Sequence, residues 1–432
     1  MTRDRRPFPF LEAFPPRPNE QPEPFSDMSS AYTFIRPYLD ANGAWCAFDW
    51  RSADPLARSA NEIASTCAST GVHMLTSAFP LLLPVGPEAL ADETLCATFS
   101  PKQAVFLLPE QALSLSDTVQ RSTDLRARGY RIGVQLESPE LLRTVPFTAF
   151  DHLGCTGSTV RQEFTGSDLR YAARIGFRRI ATDVRSHDMH DWLHGNGFDW
   201  FDGRFLAAPD PRLGRSPDLT RLKLLHLLDI VRHDGDTREI EAIFREEPKL
   251  AYNLLRLVNS AAVGARTQIT SFTHAITILG RRQLQRWLQL LVYANHLAEG
   301  QGPNPLMQLA AARGRQMELL CIALDPKPEI LDLCDSAYMT GLFSLLEVLI
   351  NLPMQDIVKE LPLQDEVLEA LATPGQGGQL SRLLAALCAG EAGRYQEASE
   401  RFAELGISPE KLTKAQATAF LWASHIDRIS LD

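Results

Sequence analysis

Apolar residues recur every three or four positions over residues 218–294, as they do on one face of an α-helix. Thr237 follows an Asp-Gly-Asp turn and fits a helix N-cap, and Pro248 fits a first helical turn. Gly264 ends the third pattern and Ser271 begins a fourth. The spacing therefore predicts four consecutive helices with short breaks. The first three apolar stripes are Leu222, Leu225, Leu228 and Ile230, then Ile240, Ile243 and Phe244, then Leu250, Leu254, Leu257 and Val258.

Residues 32–208 follow a different pattern, in which short apolar runs alternate with helix-like segments. Alternating β and α elements over this length are typical of a parallel sheet, and here they predict a barrel. The stretch is short for a complete (β/α)8 barrel, so we expect trimmed helices or a missing element. The predicted strands are 33–39, 45–50, 80–85, 104–108, 132–136, 147–153, 178–183 and 200–206, and the predicted helices include 116–128, 167–174 and 187–195.

The two ends of the chain extend this picture. Residues 1–27 are rich in proline, phenylalanine and charge, which predicts a disordered tail. After Gly341 the apolar spacing is helical, apart from a TPGQGG loop. We expect these helices to complete the helical bundle and the last of them to return to the barrel. They span 342–350, 354–361, 365–371, 380–389, 395–405 and 408–424.

Composition narrows the class of protein. The chain has 432 residues, enough for two or three domains, and a formal net charge of -10, which argues against a broad nucleic-acid-binding surface. No apolar run reaches the length of a membrane helix, and the N-terminus lacks the apolar core of a signal peptide. Seven scattered cysteines without a CxxC pair are typical of reduced thiols. We therefore expect a cytoplasmic protein without a nucleic-acid or membrane partner.

A specific motif lies within the helical stretch. An Asn-Ser-Ala triplet at residues 259–261 is followed by Gly264, and then by a Ser…Ala-Ile…Leu-Gly pattern. This combination resembles the core of an HDOD domain, although the same residues also fit a generic helical core. The matching positions are Pro248, Leu250, Leu254, Leu255, Arg256, Asn259, Ser260, Ala261, Gly264, Ile269, Ser271, Ala275, Ile276, Leu279 and Gly280.

The HD superfamily of hydrolases holds metal with a His…His-Asp…Asp set, and this chain departs from it. Ser344 and Leu345 stand where the central His-Asp pair would be. A literal pair, His233 and Asp234, is followed by Gly235 and predicts a turn between helices. The resemblance therefore implies a non-catalytic HDOD domain.

Four segments of the barrel stretch resemble an EAL domain, the cyclic di-GMP phosphodiesterase barrel. Residues 37–50 resemble the entry hairpin and the strand that carries the Glu-Ala-Leu signature. Residues 125–137, 178–186 and 197–209 resemble three later strands, the last of them the closing one. The resemblance implies a barrel followed by an HDOD domain, which is a signalling architecture.

The positions that bind metal in EAL domains are mostly replaced. Such hydrolysis uses metal ions held by carboxylates and an Asn. The signature Glu falls on Asp49, or on Phe48 if the alignment slips by one. We therefore expect no metal, no cofactor, no catalytic residue and no enzymatic activity; a working site would need Asp49, Glu137 and Asp151 to converge. The other aligned positions are Pro84, Leu107, Gln135, Leu136, Thr182 and Asp202, with His152 in place of Lys.

Three arginines are candidate nucleotide contacts. Arg36, Arg51 and Arg185 lie near predicted strand ends, and arginine side chains suit phosphate and guanine. The alternative is that they are solvated surface arginines, and this is the interpretation that we prefer from sequence.

Two further clusters have a chemical and a plain interpretation. His187, His190 and His194 share one helical face and could bind zinc, but we interpret them as the solvated side of an amphipathic helix. A basic cluster, Arg281, Arg282 and Arg286, is interpreted as a solvated helix face and not as a nucleic-acid site.

Together these observations predict an α/β plus all-α chain. Its parts are a tail over residues 1–27, a trimmed, degenerate EAL-like TIM barrel over 28–210, and an HDOD helical bundle over 211–432. The resemblance implies a bacterial signal-transduction protein that acts by contacts of its HDOD domain with a diguanylate cyclase, a phosphodiesterase or a histidine kinase. Two alternatives stay open: a receptor that binds cyclic di-GMP without cutting it, and a residual cyclic di-GMP phosphodiesterase.

Overall fold

The computed structural model describes residues 31–210, 285–286, 288–289, 305–330, 333–360 and 363–425. In the first range, eight strands form a closed barrel in chain order. The first strand is antiparallel to both neighbours, and all other adjacent pairs are parallel. The predicted barrel is therefore confirmed. The strands are β1 (Thr33–Asp40), β2 (Trp45–Ser52), β3 (Leu81–Pro84), β4 (Ala104–Pro109), β5 (Arg131–Leu136), β6 (His152–Thr156), β7 (Arg178–Thr182) and β8 (Trp200–Asp202).

The helices around the barrel are trimmed, as the short sequence predicts, while all eight strands are present. Only the 3-10 turn Pro139–Arg143 forms helical structure between β5 and β6. The other 3-10 turns of the barrel are Val72–Ser77, Glu110–Ser114 and Gly203–Ala207. The barrel helices are α1 (Ala60–Thr70), α2 (Pro87–Ala91), α3 (Thr94–Thr98), α4 (Ser116–Ala127), α5 (Gly157–Glu163), α6 (Gly166–Ile175) and α7 (His187–Gly195).

Two predicted strands differ from the structure. The sixth begins at His152 and not at residue 147, because the residues after Pro146 form a turn that leaves Phe147 63% exposed. The eighth ends at Asp202, where the Asp202 side chain accepts the Arg204 amide and a 3-10 turn begins. Apolar content suggested strands at both places, but local hydrogen bonds decide the backbone.

The barrel interior has an apolar floor. Side chains alternate between the two faces of a strand, so every second residue points inward. The inward set packs as one buried cluster well below the carboxyl ends of the strands. Its members are Tyr38, Ala47, Leu82, Val105, Ile180 and Trp200. Polar inward residues lie above this floor, at the end of the barrel where TIM-barrel sites are found.

The described part of the C-terminal half is helical. Its last three helices follow one another with short connections. The helices that follow α7 in the described residues are α8 (Pro305–Cys321), α9 (Leu333–Phe343), α10 (Leu346–Ile350), α11 (Met354–Ile357), α12 (Asp365–Ala372), α13 (Gln379–Glu391), α14 (Tyr395–Glu404) and α15 (Pro409–Ala423), with a 3-10 turn at Val358–Glu360.

The last helices return to the barrel and complete one edge of β1. Strand β1 pairs with β8 only over residues 38–40, so its earlier residues have no strand on that side. The side chain of Gln416 in α15 accepts the Ile35 amide at 3.2 Å, and Thr413 bonds Thr33 at 2.7 Å. Phe34 is buried in the core of the helical region, stacked on Tyr395. Helices α13 to α15 thus replace the missing strand contact.

Several sequence predictions lie outside the described residues. These are the tail over residues 1–27, the Asn-Ser-Ala motif, the turn at His233 and Asp234, and Arg281 and Arg282. The domain boundaries at 27/28 and 210/211 stay predictions. Among the described helices, none is long and apolar enough to cross a bilayer.

Candidate functional site at the barrel mouth

The mouth of the barrel has a charged side, formed by β1, β2 and β8, which we call the arginine side. Arg36 Nη2 donates to Asp49 Oδ2 at 2.8 Å, and Arg51 Nε donates to Asp49 Oδ1 at 2.8 Å. Asp202, which is fully buried, accepts Arg204 Nε at 2.9 Å and lies 3.3 Å from Arg36 Nη1. Both carboxylates are therefore bound by two arginines each.

The charge state of this cluster follows from its contacts. Burial alone would raise the pKa of Asp202, but the guanidinium groups of Arg36 and Arg204 lower it below the usual range. Burial would lower the pKa of Arg36, but Asp202 and the other nearby groups raise it well above its usual value. Asp202 therefore stays ionised and Arg36 stays protonated across the physiological range.

Arg204 also links the barrel to the helical region. Its Nη2 lies 2.8 Å from Asp183, which follows β7 with a left-handed backbone, and its Nη1 donates to the Ala392 carbonyl at 3.3 Å. One guanidinium thus connects the ends of β7 and β8 to the corner between α13 and α14.

The opposite side of the mouth, formed by β3 to β7, carries no charge on its inward strand residues; we call it the neutral side. The inward residues near the carboxyl ends of these strands include Pro84, Leu107, Gln135, Thr156 and Thr182. Gln135 Nε2 lies within 3.4 Å of both threonine hydroxyls. This side is held by neutral hydrogen bonds.

An exposed carboxylate stands at the rim of the neutral side. Glu137 follows β5, and its Oε1 accepts from Gln135 Nε2 and from Thr156 Oγ1, each at 3.0 Å. Its amide donates to Glu110 at 2.9 Å. These bonds place Glu137 beside the mouth but outside the barrel.

Two cavities open at the mouth. The larger, about 600 Å³, lies between the arginine side and the helical region, and we call it the junction cavity. The smaller, about 230 Å³, lies over the neutral side and is lined by Arg51, Leu107, Glu110, Gln135 and Glu137 among others. The polar residues that line the junction cavity are Arg36, Arg185 and Arg204 from the barrel and Arg313, Ser344, Glu347, Glu391 and Arg394 from the helices.

The structure separates the three predicted nucleotide contacts into two groups. Arg36 and Arg185 line the junction cavity, whereas Arg51 lines the smaller one. The interpretation as solvated surface arginines is wrong for Arg36, which is 5% exposed, and holds for Arg185, whose side chain is 73% exposed. Paired carboxylates draw Arg36 into the barrel, which sequence spacing does not reveal.

Sequence reasoning missed three lining arginines. Arg204 follows Gly203 in the closing barrel motif, but the sequence predicts a strand that runs on to residue 206, so its place after the strand end was missed. Arg313 and Arg394 are more than a hundred residues away from the barrel in sequence, and no motif marks them.

The donor set does not fit the metal pair that EAL hydrolysis uses. Both oxygens of Asp49 accept from arginines, and the other aligned positions carry side chains such as Pro84 and Leu107. Across the described ranges, no three His, Cys, Asp or Glu side chains form a group suited to a metal ion. The side chains at these positions therefore do not form a binding site for a pair of metal ions.

The alternative metal set does not converge either. Asp151 precedes β6 at the amino end of the barrel, where it accepts the Ile132 amide at 3.0 Å, whereas Glu137 lies at the carboxyl end. The alignment of His152 with a mouth Lys is wrong for the same reason. His152 begins β6, lies 2.7 Å from Asp151 and packs against Trp200, and Thr156 holds the place nearest the mouth.

Two other residues from the sequence analysis, Ser344 and Arg286, lie in the described part of the helical region. Ser344, at the expected His-Asp position, accepts Arg313 Nη1 at 2.6 Å and lines the junction cavity. Arg286 was predicted on a solvated helix face, but it is buried. It donates to Glu318 of α8 and to Asp335 of α9, and these two carboxylates compensate its charge.

The three histidines of α7 do not share one environment. His194 is exposed, but the His190 ring stacks on Phe205 at 4.3 Å and is only half-exposed to solvent. Burial lowers the pKa of His190, although Asp191 opposes the shift. The interpretation of a fully solvated histidine face is therefore wrong at His190, because the 3-10 turn after β8 covers it.

Comparisons with known proteins agree with the two-part architecture. Residues 220–362 match the model of the HDOD domain. A curated protein of Vibrio cholerae, named cyclic di-GMP phosphodiesterase CdgJ, is 25% identical over 337 residues, which cover 77% of this chain and 76% of that protein. The uncharacterized protein YuxH of Bacillus subtilis is 24% identical over 297 residues, or 66% and 70% of the two chains.

Solved EAL-domain structures are similar at low identity. The PaMucR phosphodiesterase in complex with cyclic di-GMP matches 42% of this chain and 92% of its own, with 13% identity and a TM-score of 0.33. The Xanthomonas citri FimX EAL domain in complex with cyclic di-GMP matches 40% and 85%, with 16% identity and a TM-score of 0.31. These matches concern the fold.

One prediction is overturned by the comparisons. The expectation that the chain is not an enzyme is wrong as a conclusion from lost motif residues, since a relative that aligns with 77% of the chain is named a phosphodiesterase. The expectation of a signalling protein agrees with the name of this relative. Residues 220–362 thus match the model of the HDOD domain and follow an eight-stranded barrel, in a chain that is similar to CdgJ over 77% of its length.

Proposed function

We propose that the protein acts in cyclic di-GMP signalling by binding this dinucleotide in the junction cavity. The cavity lies at the carboxyl ends of the barrel strands, where ligands bind in barrels of this kind. Its volume of about 600 Å³ falls in the range of pockets that enclose drug-sized ligands. Cyclic di-GMP offers two phosphates and two guanines, and arginine side chains suit both.

Arg36 is the observation that carries this proposal. Its guanidinium lines the cavity, is almost fully buried, and keeps Nε and Nη1 without a hydrogen-bond partner among the described residues. Nη1 lies within ion-pair distance of Asp202, but not in hydrogen-bond geometry. A buried donor without a partner is costly, and a phosphate oxygen would satisfy it.

Arg185 gives the ligand a second, more accessible contact. Only its Nε donates to a carboxylate, that of Asp183 at 2.7 Å, and its side chain is largely exposed. Both Nη groups stay available to a phosphate at the cavity rim. Arg204 forms ion pairs with Asp202 and Asp183 and so fixes the ends of β8 and β7 next to Arg36 and Arg185.

Hydrolysis of the bound dinucleotide is the second candidate, and the name of the Vibrio cholerae relative favours it. Its product would be the linear dinucleotide. The exposed carboxylate of Glu137 stands at the neutral side of the same mouth and is the acidic group nearest to solvent there. Under this candidate function, Glu137→Gln abolishes turnover and leaves binding in the junction cavity in place.

A calorimetric titration of the full chain with cyclic di-GMP tests binding, and chromatography of the recovered nucleotide tests hydrolysis. We expect saturable binding that Arg185→Gln weakens about tenfold, the typical worth of a charge-assisted hydrogen bond. Arg128→Gln is the matched control, since this half-exposed arginine ends α4 at the opposite end of the barrel. No heat with the unaltered protein, or equal effects of the two variants, would refute the proposed site.

We also infer that the HDOD domain contacts a signalling protein such as a diguanylate cyclase, a phosphodiesterase or a histidine kinase. This part of the proposal rests on the sequence resemblance, because most of the matched residues lie outside the described ranges. A purified candidate partner that binds the full chain equally well with and without an intact Asn259–Ser260–Ala261 motif would contradict it.

A further inference from the structure

The junction cavity has two walls that come from different parts of the chain. The barrel wall carries Arg36 and Arg185, and the helical wall carries Arg313, Ser344 and Arg394. Apolar residues of the helices, such as Leu309 and Phe420, complete the lining. A ligand that fills this cavity therefore touches both walls.

The two walls are in close contact where the chain turns from α13 into α14. Gly393 has a φ of +80°, and a Cβ there would lie 2.7 Å from Arg204 Nη1. A Cβ at Gly390 would lie 2.8 Å from Phe34. The Arg36 guanidinium stands 5.5 Å from the centre of the Tyr395 ring, within cation–π range. Because residues 390 and 393 are glycines, the turn between α13 and α14 can pack directly against the arginine side of the mouth.

The helical wall is connected to the position that corresponds to the His-Asp pair of HD hydrolases. Arg313 in α8 is buried; its Nε donates to Glu391 at 3.0 Å and its Nη1 to Ser344 Oγ at 2.6 Å. Ser344 directly follows α9 and in turn donates to the Gly341 carbonyl at 2.6 Å. Any shift of Glu391 at the corner therefore changes the contacts of Arg313 with the end of α9.

Arg394 resembles Arg185 in how it is held. Its Nε donates to Glu397 at 2.7 Å, its side chain is 56% exposed, and both Nη groups donate to no protein group within the described part of the chain. The two arginines lie on opposite walls of one cavity, each positioned by a carboxylate and each with a free edge. This arrangement suits a ligand with two separated phosphates.

We propose that the junction cavity is one composite site, in which Arg185 of the barrel and Arg394 of the helical region bind the same phosphate-bearing ligand. The inference rests on the proposed function and deepens it: the ligand joins the two parts of the chain. Occupancy is transmitted through the corner at Glu391 to Arg313 and Ser344, at the end of α9. The HDOD region thereby senses a ligand that the barrel alone would bind less tightly.

The test is calorimetric titration of the full chain with cyclic di-GMP, using Arg394→Gln. The matched control is Arg401→Gln, because Arg401 lies on the same helix, bonds the same Glu397 at 3.0 Å and does not line the cavity. We expect Arg394→Gln to weaken binding about tenfold and Arg401→Gln to leave it unchanged. Arg394→Lys should recover part of the loss, since it restores the charge but not the paired donors.

Hydrogen exchange with and without cyclic di-GMP provides the second readout. We expect slower exchange on both walls, at residues 203–207 and at residues 390–395, and a change at residues 341–345. If Arg185→Gln weakens binding while Arg394→Gln does not, the composite site is refuted and the proposed function stands. If the unaltered protein does not bind, both are refuted.

Discussion

The two sides of the barrel mouth are held by different interactions: ion pairs on the arginine side and hydrogen bonds between neutral side chains on the neutral side. On the arginine side, Asp49 and Asp202 are buried, and each carboxylate faces two guanidinium groups. On the neutral side, Gln135, Thr156 and Thr182 share hydrogen bonds without a net charge. Removing one partner from a buried ion pair lowers the free energy of unfolding strongly, because a charge is left without its partner. Removing one partner from a neutral network costs about the free energy of the hydrogen bonds that are lost.

Within the described residues, the helical region covers the arginine side of the mouth. Helices α13 to α15 contact β1 and the segment after β8, and leave the neutral side with its own small cavity. The arginine side is therefore where the described helices contact the barrel mouth, and the neutral side faces solvent at Glu137.

Removing a buried carboxylate should have the largest effect. Asp202→Ala removes a buried carboxylate that faces both Arg36 and Arg204 and leaves each of them with one carboxylate partner, Asp49 and Asp183 respectively, so we expect a loss of about 3 kcal/mol in the free energy of unfolding. Urea denaturation followed by tryptophan fluorescence measures it. Asp188→Ala is the control, since its pair with Arg161 is exposed and should be worth under about 1 kcal/mol. Equal losses would mean that the arginine side is not a buried network.

Adding a side chain at the turn between α13 and α14 should lower the stability less than removing Asp202 does. Gly176→Ala places a side chain at a φ of +87° with open space around it and should cost about 1–2 kcal/mol from backbone strain alone. Gly393→Ala has a similar φ but pushes on Arg204, so we expect a larger loss and faster proteolysis of residues 389–395. If the two alanine variants melt at the same temperature, the corner does not rest on the barrel.

The neutral side should tolerate change better than the arginine side. Gln135→Leu keeps the approximate volume and removes the bonds to Glu137, Thr156 and Thr182, which can still bond one another. We expect a loss of about 1–1.5 kcal/mol in the free energy of unfolding. A loss as large as that of Asp202→Ala would erase the difference between the two sides.

The smallest effect concerns pH. Burial lowers the pKa of His190 in the folded chain, so protonation is less favourable in the folded than in the unfolded state. The stability that this histidine contributes is complete above the unfolded pKa of about 6.5 and is lost as the pH falls through the lower folded value. His190→Phe, which keeps the stacking on Phe205, should flatten the melting temperature between pH 7 and pH 5. An unchanged slope would assign the pH dependence to other groups.

Much of the fold was predictable because its signals are local. Apolar periodicity located most of the strands, and the HDOD motif is a run of spaced small and apolar residues within one stretch. The errors at residues 147–151 and 203–206 come from apolar segments whose backbone is fixed by turns. The resemblance to EAL domains named the positions of the metal ligands, and the structure places most of them at the mouth.

The candidate site was predictable only in part. The sequence identified Arg36, Arg51 and Arg185 as candidate contacts. It did not show that Arg36 and Arg185 line one cavity together with Arg313 and Arg394. The inference from replaced ligands to absence of activity went too far, since a motif describes one arrangement of catalytic groups while a relative that lacks close identity is still named an enzyme.

The sequence by itself determined the order of the elements, the alternation that closes a barrel, the HDOD match and the acidic, low-cysteine composition. The tertiary structure decided which charges meet. Asp202 becomes a buried partner of Arg36 only because β8 closes on β1, and Arg394 reaches the mouth only because α13 to α15 fold back onto β1. Such contacts join residues far apart in the chain, and no local propensity encodes them.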